Sequence, residues 1–187
     1  SLWLVLCVEV PGVRPSAACS VAEHLGCEGI YAYNVETVCK VGSLGRESDK
    51  DVVLTRYLGE ALVKLNPGLP DVAYQDALRQ ITEAPVTENT LQINFEQYEL
   101  IKSGVQVQFR NAKGELEKKR LKVFDFDIPE NNHFLCVREL WVRGDIYRRR
   151  ADIVGFVNGL PLMFIECKTI HKDIRHAYEQ NLSDYKD

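Results

Sequence analysis

The chain has 187 residues, 45% of them hydrophobic, and a formal net charge of −4. That size and apolar content suffice to bury a core without disulfides. The acidic balance excludes a generally basic nucleic-acid binder, so any DNA contact must come from local concentrations of Lys and Arg. In chain order, Leu2 to Val10 is apolar but too short to span a membrane, and Pro11, Arg14 and Pro15 prevent its extension. It reads as a buried strand or a terminus, and residues 1 to 22 receive no role. Ser16 to Leu25 fits a short helix and Ile30 to Val35 an extended segment. From about Glu47 to Asn66, Val53, Tyr57, Ala61, Leu62 and Leu65 form the stripe of an amphipathic helix that Asn66-Pro67-Gly68 stops. A second helix is predicted from Asp71, as its cap, to Glu83, and a third from Asn89 to about Gly104. The period then switches to that of strands at Val105 to Arg110, Glu115 to Phe126, Phe134 to Arg143, Ala151 to Val157 and Leu160 to Lys168. Helix returns from about Asp173.

Six cysteines fall without a Cys-x2-Cys pair. Free thiols in a cytoplasmic protein account for them better than a zinc ribbon or a disulfide framework. Positive charge gathers in two places. Lys113, Lys118, Lys119, Arg120 and Lys122 mark a hairpin, where the plainer reading is a solvated edge protected by Lys. Arg148, Arg149 and Arg150 lead straight into Asp152, where they could grip phosphates.

The chemistry concentrates between Asp152 and Lys168. Two apolar runs surround Asn158-Gly159, with Asp152 at one outer end and Glu166-Cys167-Lys168 at the other. Two carboxylates that share a hard divalent cation, with an ammonium beside them to orient water and offset phosphate charge, are the parts of a metal-dependent nuclease. Glu166 and Lys168 project from one face of a strand, with the Cys167 carbonyl between them. A two-residue Asn-Gly loop with regular pairing leaves Asp152 and Glu166 on opposite faces, so the nuclease reading requires a three-residue loop or a bulge near Gly159. The plainer alternative is a hairpin whose ends are charged because they reach solvent.

The stretch Asp152, Glu166, Lys168 is similar to the PD-(D/E)xK nuclease signature, with Ala151 where Pro is frequent. Leu-Gly-Arg-Glu-Ser at 44 to 48, Leu-Asn-Pro-Gly-Leu-Pro at 65 to 70, Pro-Glu-Asn-Asn at 129 to 132 and the text from Arg148 to Leu162 resemble the N-terminal nuclease domain of type I restriction enzyme R (HsdR) subunits, from about residue 23 onward. The resemblance implies an α/β, restriction-endonuclease-like fold: a mixed β-sheet core flanked by helices, with a helix-rich N-terminal half. It implies one domain over 1 to 187 with its catalytic core at about 45 to 187, expected to be a fragment of a longer chain with helicase domains. Asp152, Glu166 and Lys168 are then catalytic, and Asp152, Glu166 and the Cys167 carbonyl bind Mg²⁺. Glu47, Asn181, Tyr185 and Gln180 are accessory candidates. Asn181 and Tyr185 keep the i, i+4 spacing of a Gln-x3-Tyr motif, with Asn in place of Gln. Implied partners are double-stranded DNA and the methyltransferase (M) and specificity (S) subunits, with no membrane. ATP would act only through helicase domains, since the chain has no Gly-x4-Gly-Lys-Ser/Thr motif. Two other functions fit the same residues: a stand-alone repair or recombination nuclease, and a DNA- or subunit-docking domain that cleaves weakly alone.

Overall fold

The computed structural model describes residues 6–11, 20, 23, 26–32, 44–83, 90–111, 113–144 and 147–168. At 6–11, 30, 31, 90, 91, 93, 94 and 168 it describes the backbone alone. The described residues form a mixed α/β protein with strands β1 (Leu6–Pro11) and β2 (Glu28–Tyr31), then helices α1 (Thr55–Leu65), α2 (Asp71–Thr82) and α3 (Thr90–Ser103). Strands β3 (Val105–Arg110), β4 (Leu116–Leu121), β5 (Phe134–Arg143), β6 (Arg148–Val157) and β7 (Leu160–Lys168) come after them. No helix among them is long and apolar enough to cross a membrane. The predicted final helix, with Gln180, Asn181 and Tyr185, lies outside the described residues.

The chain divides into two compact units, one of which gathers residues 53–133 with 158–160. There α1 buries Leu58, Ala61 and Leu62, the i, i+3, i+4 stripe that its sequence carries. Asn66 ends it: its amide donates to the Leu62 and Lys122 carbonyls at 2.9 Å each and accepts the Lys122 N–H at 2.7 Å. α2 buries Ala73, Tyr74, Ala77 and Ile81. Its N-cap is Pro70 and no side chain caps it, so Asp71 is the first helical residue and supports the start through the helix dipole, correcting the expected cap. The antiparallel β3–β4 hairpin alternates buried and exposed along β3, with Val105, Val107 and Phe109 inward.

The other unit is built on a five-stranded sheet in the order β1-β7-β6-β5-β2. β5 and β6 are antiparallel, while β1 runs parallel to β7 and β2 parallel to β5. On one face the pairs Leu135–Phe156 and Val137–Val154 are almost wholly buried. On the other, Cys136 and Ile153 form a smaller cluster with Cys27, Ile165 and Cys167.

Two predicted boundaries move for local reasons. The first core helix starts at Thr55, not near Glu47. Asp51 Oδ2 accepts the Glu47 and Ser48 N–H groups at 3.0 and 2.9 Å, a side-chain competitor that holds this stretch as a turn. β4 ends at Leu121 rather than Phe126, because Asp125 Oδ1 accepts the Asp127 and Ile128 N–H groups and bends the chain out of the ladder.

Candidate active site

The turn joining β6 to β7 is tight. Strand structure runs to Val157 and resumes at Leu160. Asn158 (φ 50°) and Gly159 (φ 80°) between them are both left-handed, the type I′ combination that favours Asn-Gly. Of the two expected geometries, the three-residue loop is therefore absent and the bulge is left. The strands nevertheless do not keep the pairing such a turn would give regularly. A Cβ on Gly155 would lie 3.4 Å from that of Met163, and Ile153 packs with Ile165 and Cys167. Odd positions therefore share a face with odd ones, which puts one extra residue into β7 between Leu160 and Met163. Pro161, which has no N–H to offer a ladder, falls in that interval.

The offset puts Asp152 and Glu166 on one face, since a single-residue slip inverts every side chain beyond it. Asp152 Oδ2 accepts the Cys167 N–H at 2.8 Å, tying one carboxylate to the strand that carries the other. Glu166 is only 8% exposed. The Cys167 thiol is pushed above its ordinary range by burial, and next by the negative charges of Asp152 and Glu166. Because the thiol packs with Ile153 on the opposite face, the carbonyl is the group that Cys167 could offer a cation. Oxygen donors of this kind suit a hard cation such as magnesium. Among the described residues no group of three His, Cys, Asp or Glu side chains is arranged to hold a metal. Lys168 closes β7, and its side chain lies outside the described residues.

Two further acidic residues take register positions here that sequence reasoning missed. Glu139 stands between Arg138, which faces Ile153, and Leu140, which faces Ala151, so its position is opposite Asp152. It has a positive φ of 54°, and its Oε2 meets Arg150 Nη1 at 3.3 Å. Glu9 pairs with Glu166 in the parallel β1–β7 ladder. Neither carried a motif, and only strand pairing could have revealed them.

The three arginines have intramolecular partners. Arg148 Nε meets Asp49 Oδ2 at 3.0 Å, and its guanidinium lies 4.6 Å from the Trp141 ring centroid. Arg149 lies over Tyr147 at 5.8 Å, and Arg150 pairs with Glu139. Glu47 does not come from a helix, contrary to expectation. It is exposed in the turn before α1, and its backbone bonds Asp51.

Several residues that carried the resemblance prove architectural. Asn158 is fully buried, donating from Nδ2 to the Val123 carbonyl (2.8 Å) and Asn132 Oδ1 (2.9 Å) and accepting the His133 N–H (2.7 Å). Asn131 Nδ2 donates to Asp125 Oδ2 at 2.8 Å, and Asn132 Nδ2 to the Asp125 carbonyl at 2.8 Å. The Asn131 amide, the Ile128 N–H and the Lys122 ammonium hold the Asp125 carboxyl below the usual range, against its burial. Gly159 has no room for a side chain, because a Cβ there would lie 2.5 Å from the Leu54 carbonyl oxygen. In the other unit the buried Arg46 donates to the Trp141 carbonyl at 3.0 Å.

The family model for the type I restriction enzyme R protein N terminus matches residues 23–187. The chain is 32% identical over 169 residues to the type I restriction enzyme HindI endonuclease subunit of Haemophilus influenzae, covering 88% of this chain and 16% of that protein. It is 25% identical over 147 residues to a protein of Methanocaldococcus jannaschii named as the MjaIXP endonuclease subunit, covering 76% and 14% respectively. The chain thus spans under a fifth of the length of these relatives. With the matched region containing α1 to α3, β2 to β7 and both carboxylates of the hairpin, the chain belongs to the family of type I restriction enzyme R protein N-terminal domains.

Proposed function

We propose that this chain is the magnesium-dependent nuclease domain of a type I restriction R subunit, hydrolysing phosphodiester bonds of double-stranded DNA within a cytoplasmic complex with M and S subunits. The observation that carries the reading is the Asp152 carboxylate bonded to the Cys167 N–H, with Glu166 on the same face. The antiparallel β5–β6–β7 meander with parallel outer strands supports a restriction-endonuclease-like core. Asp152, Glu166 and the Cys167 carbonyl would hold Mg²⁺, which supplies Lewis-acid polarisation of the phosphate and a more acidic water. The N–H of Cys167 fixes the Asp152 carboxylate and keeps one of its oxygens toward the strand. Lys168 orients the attacking water and offsets charge that builds on the phosphoryl oxygens as the bond to the leaving sugar oxygen breaks. ATP would enter only through helicase domains outside this chain.

The test is plasmid nicking by the complete assembly with Mg²⁺ and ATP, comparing wild type with Lys168→Ala. Loss of nicking with DNA-stimulated ATP hydrolysis retained is the expected result. Wild-type nicking by the variant would remove this mechanism and leave a docking role as the better account.

A further inference from the structure

We propose that the outer face of the β3–β4 hairpin is a docking surface for the phosphate backbone of duplex DNA, an inference that rests on DNA being the substrate. The register Gln106–Arg120, Gln108–Lys118 and Arg110–Leu116 assembles that face, and all six residues are exposed. The other face, with Val105, Val107 and Phe109, is buried along β3. Every charged residue on the outer face is therefore a cation. The neighbouring carboxylates are held elsewhere: Asn111 Nδ2 binds Glu115 at 3.1 Å and Glu117 at 2.7 Å, and Glu117 stands in register with Phe109. In a chain of net charge −4, such a separation by face is what a polyanion would select.

The side chains fit that partner. Lys118 has no partner among the described residues. Arg110 and Arg120 each place Nη1 on a carbonyl, of Gly114 at 2.8 Å and Ser103 at 3.3 Å. Those bonds orient guanidinium groups that keep further N–H donors for phosphate oxygens. Gln106 and Gln108 add uncharged donors to the row. Lys118 and Arg120, two positions apart, are separated by about 6.8 Å along the strand. Duplex DNA carries a charge per roughly 1.7 Å of axis, so both reach phosphates at once. Edge protection by lysine, the plainer account of this cluster, requires no such separation between faces.

Lys119 supplies an internal control, because it is exposed in the same strand but stands in register with Val107 on the other face. Binding of the chain to a fluorescein-labelled duplex is measured by anisotropy over a salt series in EDTA, so that cleavage plays no part. Failure of the nuclease reading would leave this measurement untouched. The triple variant Arg110→Gln, Lys118→Gln, Arg120→Gln should flatten the slope of log affinity against log salt by about 2.7, and Lys118→Gln alone by about 0.9. Lys119→Gln should leave it unchanged. If circular dichroism shows the triple variant unfolded, the two single variants decide. Equal effects of Lys118→Gln and Lys119→Gln, or none from either, would overturn the proposal. So would unchanged DNA binding accompanied by lost assembly with M and S subunits, which would assign the face to a protein partner.

Discussion

The two ends of the β6–β7 hairpin put polar residues to opposite uses. At the turn, Asn158 is buried with every polar group of its side chain engaged, and Gly159 fits a backbone that leaves no space for a methyl group. At the far end, Asp152 and Glu166 bring two negative charges to one face with the Cys167 N–H between the strands. The polar groups of the turn satisfy each other and specify the fold. Those of the other end place two like charges on one face, an arrangement that suits a cation. Stability and chemistry should therefore separate along a single hairpin.

The largest expected effect is on activity. Asp152→Asn retains an acceptor for the Cys167 N–H while removing the charge, so cleavage by the assembled enzyme should fall at least about a hundredfold, equivalent to about 2.7 kcal/mol. Its thermal midpoint should stay the same or rise, because the repulsion with Glu166 is relieved. A midpoint depressed as far as cleavage would erase the distinction between the two ends.

Next comes the turn. Asn158→Ala leaves the His133 N–H and the Val123 carbonyl without their buried partner, a loss of about 3 kcal/mol in unfolding free energy. Gly159→Ala should cost a similar amount, since it combines a φ of 80° with the Leu54 carbonyl. Denaturant unfolding measures both, and changes under about 1 kcal/mol would show that the turn does not specify the hairpin.

A smaller effect sharpens the contrast through pH. Asp125 has a lowered pKa in the folded state, so its stabilisation is fully present above the unfolded value near pH 3.9 and is lost as the pH falls through the lower folded value. Asp125→Asn should therefore reduce the stability lost between about pH 4 and more acidic solution. An identical acid-unfolding profile would show that Asp125 makes no such contribution. Smallest is Arg148→Gln, which removes the Asp49 pair and the Trp141 contact at a partly exposed site, for about 1 kcal/mol. The sequence expectation that Arg148 also grips phosphate predicts weaker DNA binding with a flatter salt dependence in this variant, and unchanged affinity at every salt concentration would end that role.

Period and punctuation made much of this architecture legible. β5 and β7 fall where alternation places them, and Asn66-Pro67-Gly68 closes α1 as its residue types dictate. What escaped was set by groups that a local pattern does not register. The start of α1 was displaced by a carboxylate that bonds the backbone of Glu47 and Ser48, to which an apolar stripe is blind. The positions of Glu9 and Glu139 depend on strand order, whereas the shared face of Asp152 and Glu166 was expected to need a loop or bulge near Gly159 and rests on one extra residue beside Pro161. Intramolecular partners also lay beyond the pattern: Arg148 pairs with Asp49 and Arg150 with Glu139, whereas Lys118 on β4 has no partner among the described residues.

The central claim, that Asp152 and Glu166 serve a cation and not the fold, is tested most directly by cleavage of closed plasmid DNA by the assembled enzyme carrying Glu166→Gln, with Mg²⁺ and ATP. The account predicts no nicking while DNA-stimulated ATP hydrolysis and the thermal midpoint stay at wild-type values. Nicking at the wild-type rate would contradict it.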